Sequence, residues 1–399
     1  MSAQQVPPRL HLLPHDAVAP QTFPASSVAT ILLAGGKGTR LHDLTSHDSK
    51  PAVYFAGENR IVDFAMANAA RSGLDRIMVA TQYAPETLHD HLPARWGSYF
   101  PQGGLMLRDG QDRYLGTADA VRQNWRELDN WQADEVLVLA ADHVYDMDYA
   151  ALVSAHRASG AAVTVAVDVV PLAEACGFGV MQADESGRIL SFLEKPSHPP
   201  AILGEPDKAM VSMGIYVFSK AWLREALFDQ SVEGMDFGHD VIPLAVAQGV
   251  AAARRLPAGP SGQAYWRDVG TLDALRMAQL DFLNNQPARL PRVTHTSDWY
   301  LGRGSIVMPG ATVSTTARLS CTIVAPGAHV PAGLVIGEDP EEDSRWFTRS
   351  PAGTVLITAA MLQRRAALRG ERIRPSAVAS VTSSRSAPSG QKAKRGLHA

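Results

Sequence analysis

Between residues 28 and 285 two periodicities alternate along the chain. Short runs rich in Val, Ile, Leu and Ala, at 28–34, 76–81, 135–140, 162–167 and 213–218, have the length and composition of buried strands. Between them, the segments 61–72, 118–128, 149–159 and 221–227 repeat apolar residues every three or four positions, which predicts amphipathic helices. Alternation of this kind predicts an α/β domain, a doubly wound, mostly parallel Rossmann-like sheet with helices on both faces. Ligands of such sheets sit beyond the carboxyl ends of the strands, so the residues just after 34 and 140 are the first places to look for chemistry.

The pattern changes after residue 285. Residues 286–302 are polar and proline-containing, as expected of a linker. Beyond them Val307, Val313 and Leu319 are six apart, and after one five-residue step Val324, Val330 and Ile336 are six apart again, with Pro-Gly and Pro-Ala-Gly corners between. A hexapeptide period predicts a short parallel β-helix over 303–370, each turn stacking its apolar position on the last; chance β-hairpins are the alternative. Residues 1–27, rich in Pro, Gln and Ser, read as a mobile leader without the order of a secretion signal. Residues 371–399 turn to Arg, Lys, Ser, Ala and Gly, a basic tail that cannot bury enough apolar surface to fold by itself.

Composition narrows the classes of function. The chain has 399 residues, 46% hydrophobic and 19% charged, with a formal net charge of -3. That near-neutral balance gives no reason to expect nucleic acid or an acidic membrane as partner. No apolar run is long enough to cross a bilayer. Cys176 and Cys321 are far apart and outside any metal spacing, which argues against a disulfide scaffold and suits a reducing cytosol. His89 and His91 flank Asp90, but alternate residues do not converge on an ion, so both are expected at the surface.

The densest chemistry follows the first strand. Leu33-Ala34-Gly35-Gly36-Lys37-Gly38-Thr39-Arg40 runs from an apolar strand into a glycine-rich turn, with Lys50-Pro51 ten residues on. Successive N–H groups in such a turn make a concave anion site, and Lys37, Arg40 and Lys50 add point charges to it, so a polyphosphate is the expected guest. A Walker A loop is excluded because Gly38 follows Lys37, and a dinucleotide fingerprint because Leu41 stands where its third glycine belongs.

With Lys50-Pro51 included, the segment resembles the signature of the sugar-phosphate nucleotidyltransferases. Further blocks extend the likeness: Arg60-Ile61-Val62-Asp63-Phe64, Thr81-Gln82-Tyr83, Gly116-Thr117-Ala118-Asp119, Asp142-His143-Val144-Tyr145, Phe178-Gly179-Val180, Glu194-Lys195-Pro196, Ser212-Met213-Gly214 and Trp266-Arg267-Asp268-Val269-Gly270. Over about residues 28 to 365 they are similar, in order, to the bacterial glucose-1-phosphate adenylyltransferase (ADP-glucose pyrophosphorylase) family. The resemblance implies a left-handed β-helix after the catalytic domain, a Mg2+ ion, a homotetramer, and conversion of ATP and glucose 1-phosphate to ADP-glucose and pyrophosphate for glycogen synthesis.

It also implies roles. Arg40, Lys50, Asp142 and Asp268 carry catalysis, with Asp142 and Asp268 around the metal and α-phosphate. Leu33 to Thr39, Gln82, Tyr114 and Gly116 contact the nucleotide; Lys195 the sugar phosphate, Glu194 the sugar hydroxyls, and Gly179 and Ser212 complete that pocket. Bland alternatives stay open: an N-cap for Asp142, an Arg267–Asp268 surface pair, a solvated Lys195, and a turn hydroxyl, a turn glycine and a packing aromatic for Ser212, Gly179 and Tyr114. Some segments depart from the family. Ser46-His47-Asp48-Ser49 stands where enzymes activated by glycolytic phosphates carry adjacent basic residues, which implies weakened or altered activation. The 96–113 loop is short, Arg113 stands where a tryptophan is common, and the β-helix is about half the usual length. Rival functions are a pyrophosphorylase using UTP, dTTP or GTP, and a non-catalytic regulatory subunit.

Overall fold

The computed structural model describes residues 28–100, 103–111, 113–229, 235–255, 265–284 and 299–370. The leader 1–27, the tail 371–399 and most of the 286–302 linker lie outside them. Four strands, Leu105–Asp109, Ile77–Thr81, Val28–Ala34 and Glu135–Ala140, pair in that order, all parallel. The inner three are too apolar to face water on either side, while the edge strand Leu105–Asp109 is only partly covered. Leu32 and Ala34 pack into one helical layer while Ala29 and Ile31 pack into the other. Burying one Leu, Ile or Val side chain fully contributes about 1.5–3 kcal/mol, so the two layers together hold this sheet.

The long strand Lys208–Ser219 then joins the sheet antiparallel to Glu135–Ala140 and carries it on to Val163–Pro171, to Ala251–Arg255, and to the hairpin Gly179–Ala183/Ile189–Glu194. Its register shifts between Ser212 and Tyr216, where Gly214 takes φ 68°. A residue with a Cβ is strained in that conformation, so glycine suits the kink. The kink turns this strand's edge toward the carboxyl ends of the parallel strands.

Two expectations fail locally. The helix predicted over 118–128 is two helices, Thr117–Gln123 and Trp125–Asp129. Asn124 breaks it, because its side-chain amide donates back to Ala120 O at 2.8 Å, the competition that makes Asn a poor interior helix residue. The histidines expected at the surface are turned inward. His89 Nε2 meets Thr81 Oγ1 at 2.9 Å, and His91 Nε2 meets Asp63 Oδ1 at 2.7 Å. Asp63 is 0% exposed and also accepts from Trp96 Nε1 and Arg60 N, both at 2.7 Å.

Residues 299–370 form the hexapeptide coil. Ser305–Val307, Thr312–Val313 and Arg318–Leu319 pair parallel with Thr322–Val324, His329–Val330 and Val335–Ile336, so that Val307, Val313 and Leu319 lie on Val324, Val330 and Ile336. The helix Leu272–Asn284 packs this coil against the sheet portion: Phe282 meets Phe55 and Phe64 on one side, while Leu275 shares a core with Ile306 and Ile323 on the other. Asp273 on the same helix accepts from Ser350 Oγ at 2.6 Å and Thr354 Oγ1 at 2.5 Å.

Candidate active site

A cleft of about 520 Å³ opens at the carboxyl ends of the parallel strands. Lys50 stands at its centre. Pro51 starts the short 3-10 turn Lys50–Ala52, and Lys50 N donates to Gly36 O at 3.1 Å, which ties this turn to the glycine loop. The Lys50 ammonium, almost wholly buried, donates to Asp142 Oδ2 at 3.1 Å and to Asp268 Oδ1 at 2.9 Å. Burial alone disfavours its charge, but the two carboxylates outweigh burial and raise its pKa above the ordinary lysine value. Burial likewise pushes Asp142 up, yet His143 and Lys50 prevail and hold it well below the usual carboxylate range.

A local pairing explains why these acids meet. Asp142 directly precedes the strand His143–Tyr145, which runs antiparallel to Trp266–Asp268 with Asp268 opposite His143. Asp142 therefore caps no helix. Arg267 Nε pairs with Asp281 Oδ2 at 2.9 Å, which leaves Asp268 to Lys50. His143 Nε2 lies 3.4 Å from Asp142 Oδ1 and 3.8 Å from Asp268 Oδ1, and its ring stands edge-on to Trp266. A Cβ placed on Gly270 would be 2.8 Å from Arg40 Nη2 and 3.1 Å from both Asp268 oxygens, so the guanidinium reaches this centre too.

One end of the cleft is the glycine loop. Leu33, Gly35 and Gly36 line it, and Gly36 faces open space. Gly38 shapes the loop from behind: its φ is 65°, and a Cβ there would sit 2.7 Å from Lys50 Cβ. Ala34, Gly38 and Thr39 do not line the cleft, and the Lys37 ammonium lies 5.1 Å over the Tyr83 ring instead of turning inward. Gln82, Tyr114 and Gly116 close this end. Gln82 Nε2 donates to Tyr114 O at 3.2 Å, Asn124 Nδ2 donates to Tyr114 Oη at 2.8 Å, and the Tyr114 ring fills the space a Gly110 side chain would need. Burial pushes the Tyr114 phenol pKa up, so it stays a neutral hydroxyl.

The other end of the cleft is lined by Gly179, Glu194, Lys195 and Ser212. Glu194 pairs with Gly179 in register, and its carboxylate lies between Gly179 and Gly238, where a Cβ would come within 3.0 Å and 2.5 Å of Oε2. Lys195 donates to Glu194 Oε1 at 2.7 Å and adopts φ 44°, a strained backbone for lysine that sets its stem over the cleft. Ser212 Oγ and Tyr216 Oη lie 3.3 Å apart at the kinked strand. The sequence assigned no role to His143, Thr117, Tyr216, Asp236 or Phe237, the first three of which stand in or beside the matched blocks, yet all line the cleft. Thr117 Oγ1 donates to Asp236 Oδ2 at 2.9 Å, joining the two ends. An Asp before Phe-Gly-His reads only as an N-cap, a role Asp236 also has through Gly238 N, so its spacing gave no signal.

The two aspartates fit a hard divalent cation. Both are oxygen donors aimed at one point, which the Lys50 cation now occupies as a stand-in charge. Among the described residues no group of three or more His, Cys, Asp or Glu could form an all-protein cage. A small hard ion of this kind is commonly held by one or two carboxylates together with phosphate oxygens and waters, the ligand number that Asp142 and Asp268 could supply.

Comparison with known proteins agrees with this geometry. The nucleotidyl transferase family profile matches residues 29–285, and the profile described as GlmU-like, C-terminal hexapeptide, matches 292–357. The glucose-1-phosphate adenylyltransferase of Granulibacter bethesdensis is 38% identical, over 85% of this chain and 98% of its own. Those of a Jannaschia species and of Cereibacter sphaeroides are 38% and 37% identical, over 84% and 86% of this chain and 96% and 97% of theirs. The first alignment spans 411 positions, more than this chain's 399 residues, so it contains gaps opposite the relative. With one cleft lined by a glycine loop, a carboxylate pair and the Glu194-Lys195 end, and with near-complete coverage of such relatives, this chain belongs to the nucleotidyl transferase family and, within it, to the glucose-1-phosphate adenylyltransferases.

Proposed function

We propose that the chain transfers an adenylyl group from ATP to glucose 1-phosphate, giving ADP-glucose and pyrophosphate for glycogen synthesis. The observation that carries this reading is the Lys50 ammonium held by Asp142 and Asp268 in one cleft that the glycine loop and Lys195 also line. A phosphate oxygen of the sugar attacks the α-phosphorus of ATP, and the bond to pyrophosphate breaks. The nucleophile is already an anion, so no general base is needed; the difficulty is to bring two polyanions together in line.

The residues divide that task. Gly35 and Gly36 offer backbone to the triphosphate, while Arg40 and Lys50 neutralise it and its departing pyrophosphate. Lys195 holds the sugar phosphate, and Glu194 accepts from sugar hydroxyls, with Gly179 and Gly238 leaving room for its carboxylate. Gln82, Tyr114 and Gly116 shape the base and ribose end. Asp142 and Asp268 would hold the divalent ion, Mg2+ in this reading, which when bound neutralises charge on the phosphates.

Pyrophosphate release by purified protein tests the reading, with glucose 1-phosphate and ATP, UTP, dTTP or GTP. ATP should support the fastest release. Preference for another base would make this a different sugar pyrophosphorylase, and no release with any would leave a regulatory subunit. Activation is expected to differ from that of relatives with paired basic residues at 46–49. Asp48 is an anion here and accepts from Thr87 Oγ1. Titration with fructose 1,6-bisphosphate and AMP should move the initial rate little; strong activation by fructose 1,6-bisphosphate would refute this.

A further inference from the structure

Lys50 is bound in a way that a purely phosphate-binding lysine would not need. Among the described residues its ammonium has two hydrogen-bond partners, and both are the carboxylates suited to the divalent ion. The ammonium offsets part of the charge of the carboxylate pair, and the Arg40 guanidinium and Asp268 both come close to where a Cβ on Gly270 would sit. A divalent ion entering alone must displace a buried ammonium from both of the acceptors that hold it. Parting a buried charge from its partners is costly. A polyphosphate in the glycine loop supplies a new acceptor of opposite charge. The root of the Lys50 side chain rests against Gly38, its backbone N–H is fixed on Gly36 O, and Gly36 faces open space. The ammonium can therefore swing to the loop by side-chain rotation, with the backbone held.

We propose that Lys50 is an electrostatic gate on the carboxylate pair. Without polyphosphate it keeps Asp142 and Asp268 closed to divalent cations; a polyphosphate draws it away, and ion and polyanion then bind with positive coupling. The proposal rests on the reading of Asp142 and Asp268 as the ion-holding pair, but not on which nucleotide or sugar is used.

Two experiments test it without turnover. In the first, Mn2+ alone is titrated into wild type and into Lys50→Met, which keeps the stem and removes the charge, and free Mn2+ is read by electron paramagnetic resonance. The variant should bind at least about tenfold more tightly, because removing a cation a few ångströms away raises the field of the pair. Asp268→Asn added to Lys50→Met should abolish the gain, which ties the binding to this pair. Equal or weaker binding by Lys50→Met overturns the gate. The second uses wild type only, so it stands even if Lys50→Met fails to fold. Crystals are soaked with Mn2+, with or without inorganic tripolyphosphate. The expected result is no anomalous peak between the aspartates with Mn2+ alone. With tripolyphosphate added, a peak appears there and the Lys50 ammonium has moved onto phosphate. A Mn2+ peak between the aspartates without polyanion overturns the gate. So does a peak in the presence of tripolyphosphate with Lys50 still bonded to both carboxylates. Failure of the ATP reading would leave both results interpretable, since neither experiment contains nucleotide or sugar.

Discussion

Asp142 and Asp63 are both carboxylates held by cations, yet they serve different ends. Asp142 lies in the open cleft and Asp63 is sealed beneath the first helices. Asp142→Asn should lower kcat by about 10²–10³, with the protein still folded at assay temperature because Asp268 continues to pair with Lys50; steady-state rates and calorimetry on the same preparation check both halves. Lys195→Met should act on the sugar side, raising KM for glucose 1-phosphate about 10- to 100-fold, the value of one charge-assisted hydrogen bond, with KM for ATP little altered. Asp63→Asn should instead cost about 3 kcal/mol of stability, because it breaks a buried charged cluster. Its pH dependence has a definite sign. Burial pushes the Asp63 pKa up, but His91, Arg95 and Trp96 outweigh it and the net shift is downward from 3.8. A lowered folded-state pKa gives stability that is present above pH 3.8 and lost as pH falls through the folded value. Urea titrations across the acid range should therefore show wild type losing more stability than Asp63→Asn. At this scale the sequence was legible where chemistry is local. Asp142 announced itself at the end of an apolar strand, and the glycine loop by its letters. The Lys50 bridge was not legible, since its partners are 92 and 218 positions away. Nor was the outward course of Lys37, which Tyr83 decides.

Elements place these side chains, and the glycine loop does so most sharply. Gly38→Ala puts a Cβ at φ 65° and 2.7 Å from Lys50 Cβ, so either the loop or Lys50 must shift. The variant should lose stability by about 1–2 kcal/mol and lose rate by more than that loss explains, with kcat falling while the protein remains folded at assay temperature; unfolding and kcat measured together separate the two effects. Strands and helices with one clear period were legible: Glu135–Ala140 and Tyr149–Ser159 match their predicted bounds. Where a side chain competes with the backbone, as Asn124 does, periodicity alone missed the break. The kinked strand Lys208–Ser219 is longer than the 213–218 run that the pattern predicts, because Ser212 and the kink beside it split the apolar sequence of a strand that pairs on both edges.

At the scale of the whole molecule, the short β-helix raises the question of how two coils stay folded. The stacking of Leu319 on Ile336 and the seating of the coils on the helix Leu272–Asn284 supply the answer. Ile336→Ala, at a fully buried site, should cost about 2–5 kcal/mol, read by chemical denaturation. The hexapeptide period made this portion legible; its attachment through Asp273, Ser350 and Thr354 was not, because nothing local links residues about eighty positions apart. The central claim remains that one cleft holds both substrates across a carboxylate pair. A crystal structure with ADP-glucose tests it most directly. The account predicts the diphosphate beside Asp142 and Asp268, the adenosine toward Gln82 and Tyr114, and the glucose between Glu194 and Ser212. Product bound elsewhere, or lying in the cleft with the two aspartates turned away from its diphosphate, would contradict it.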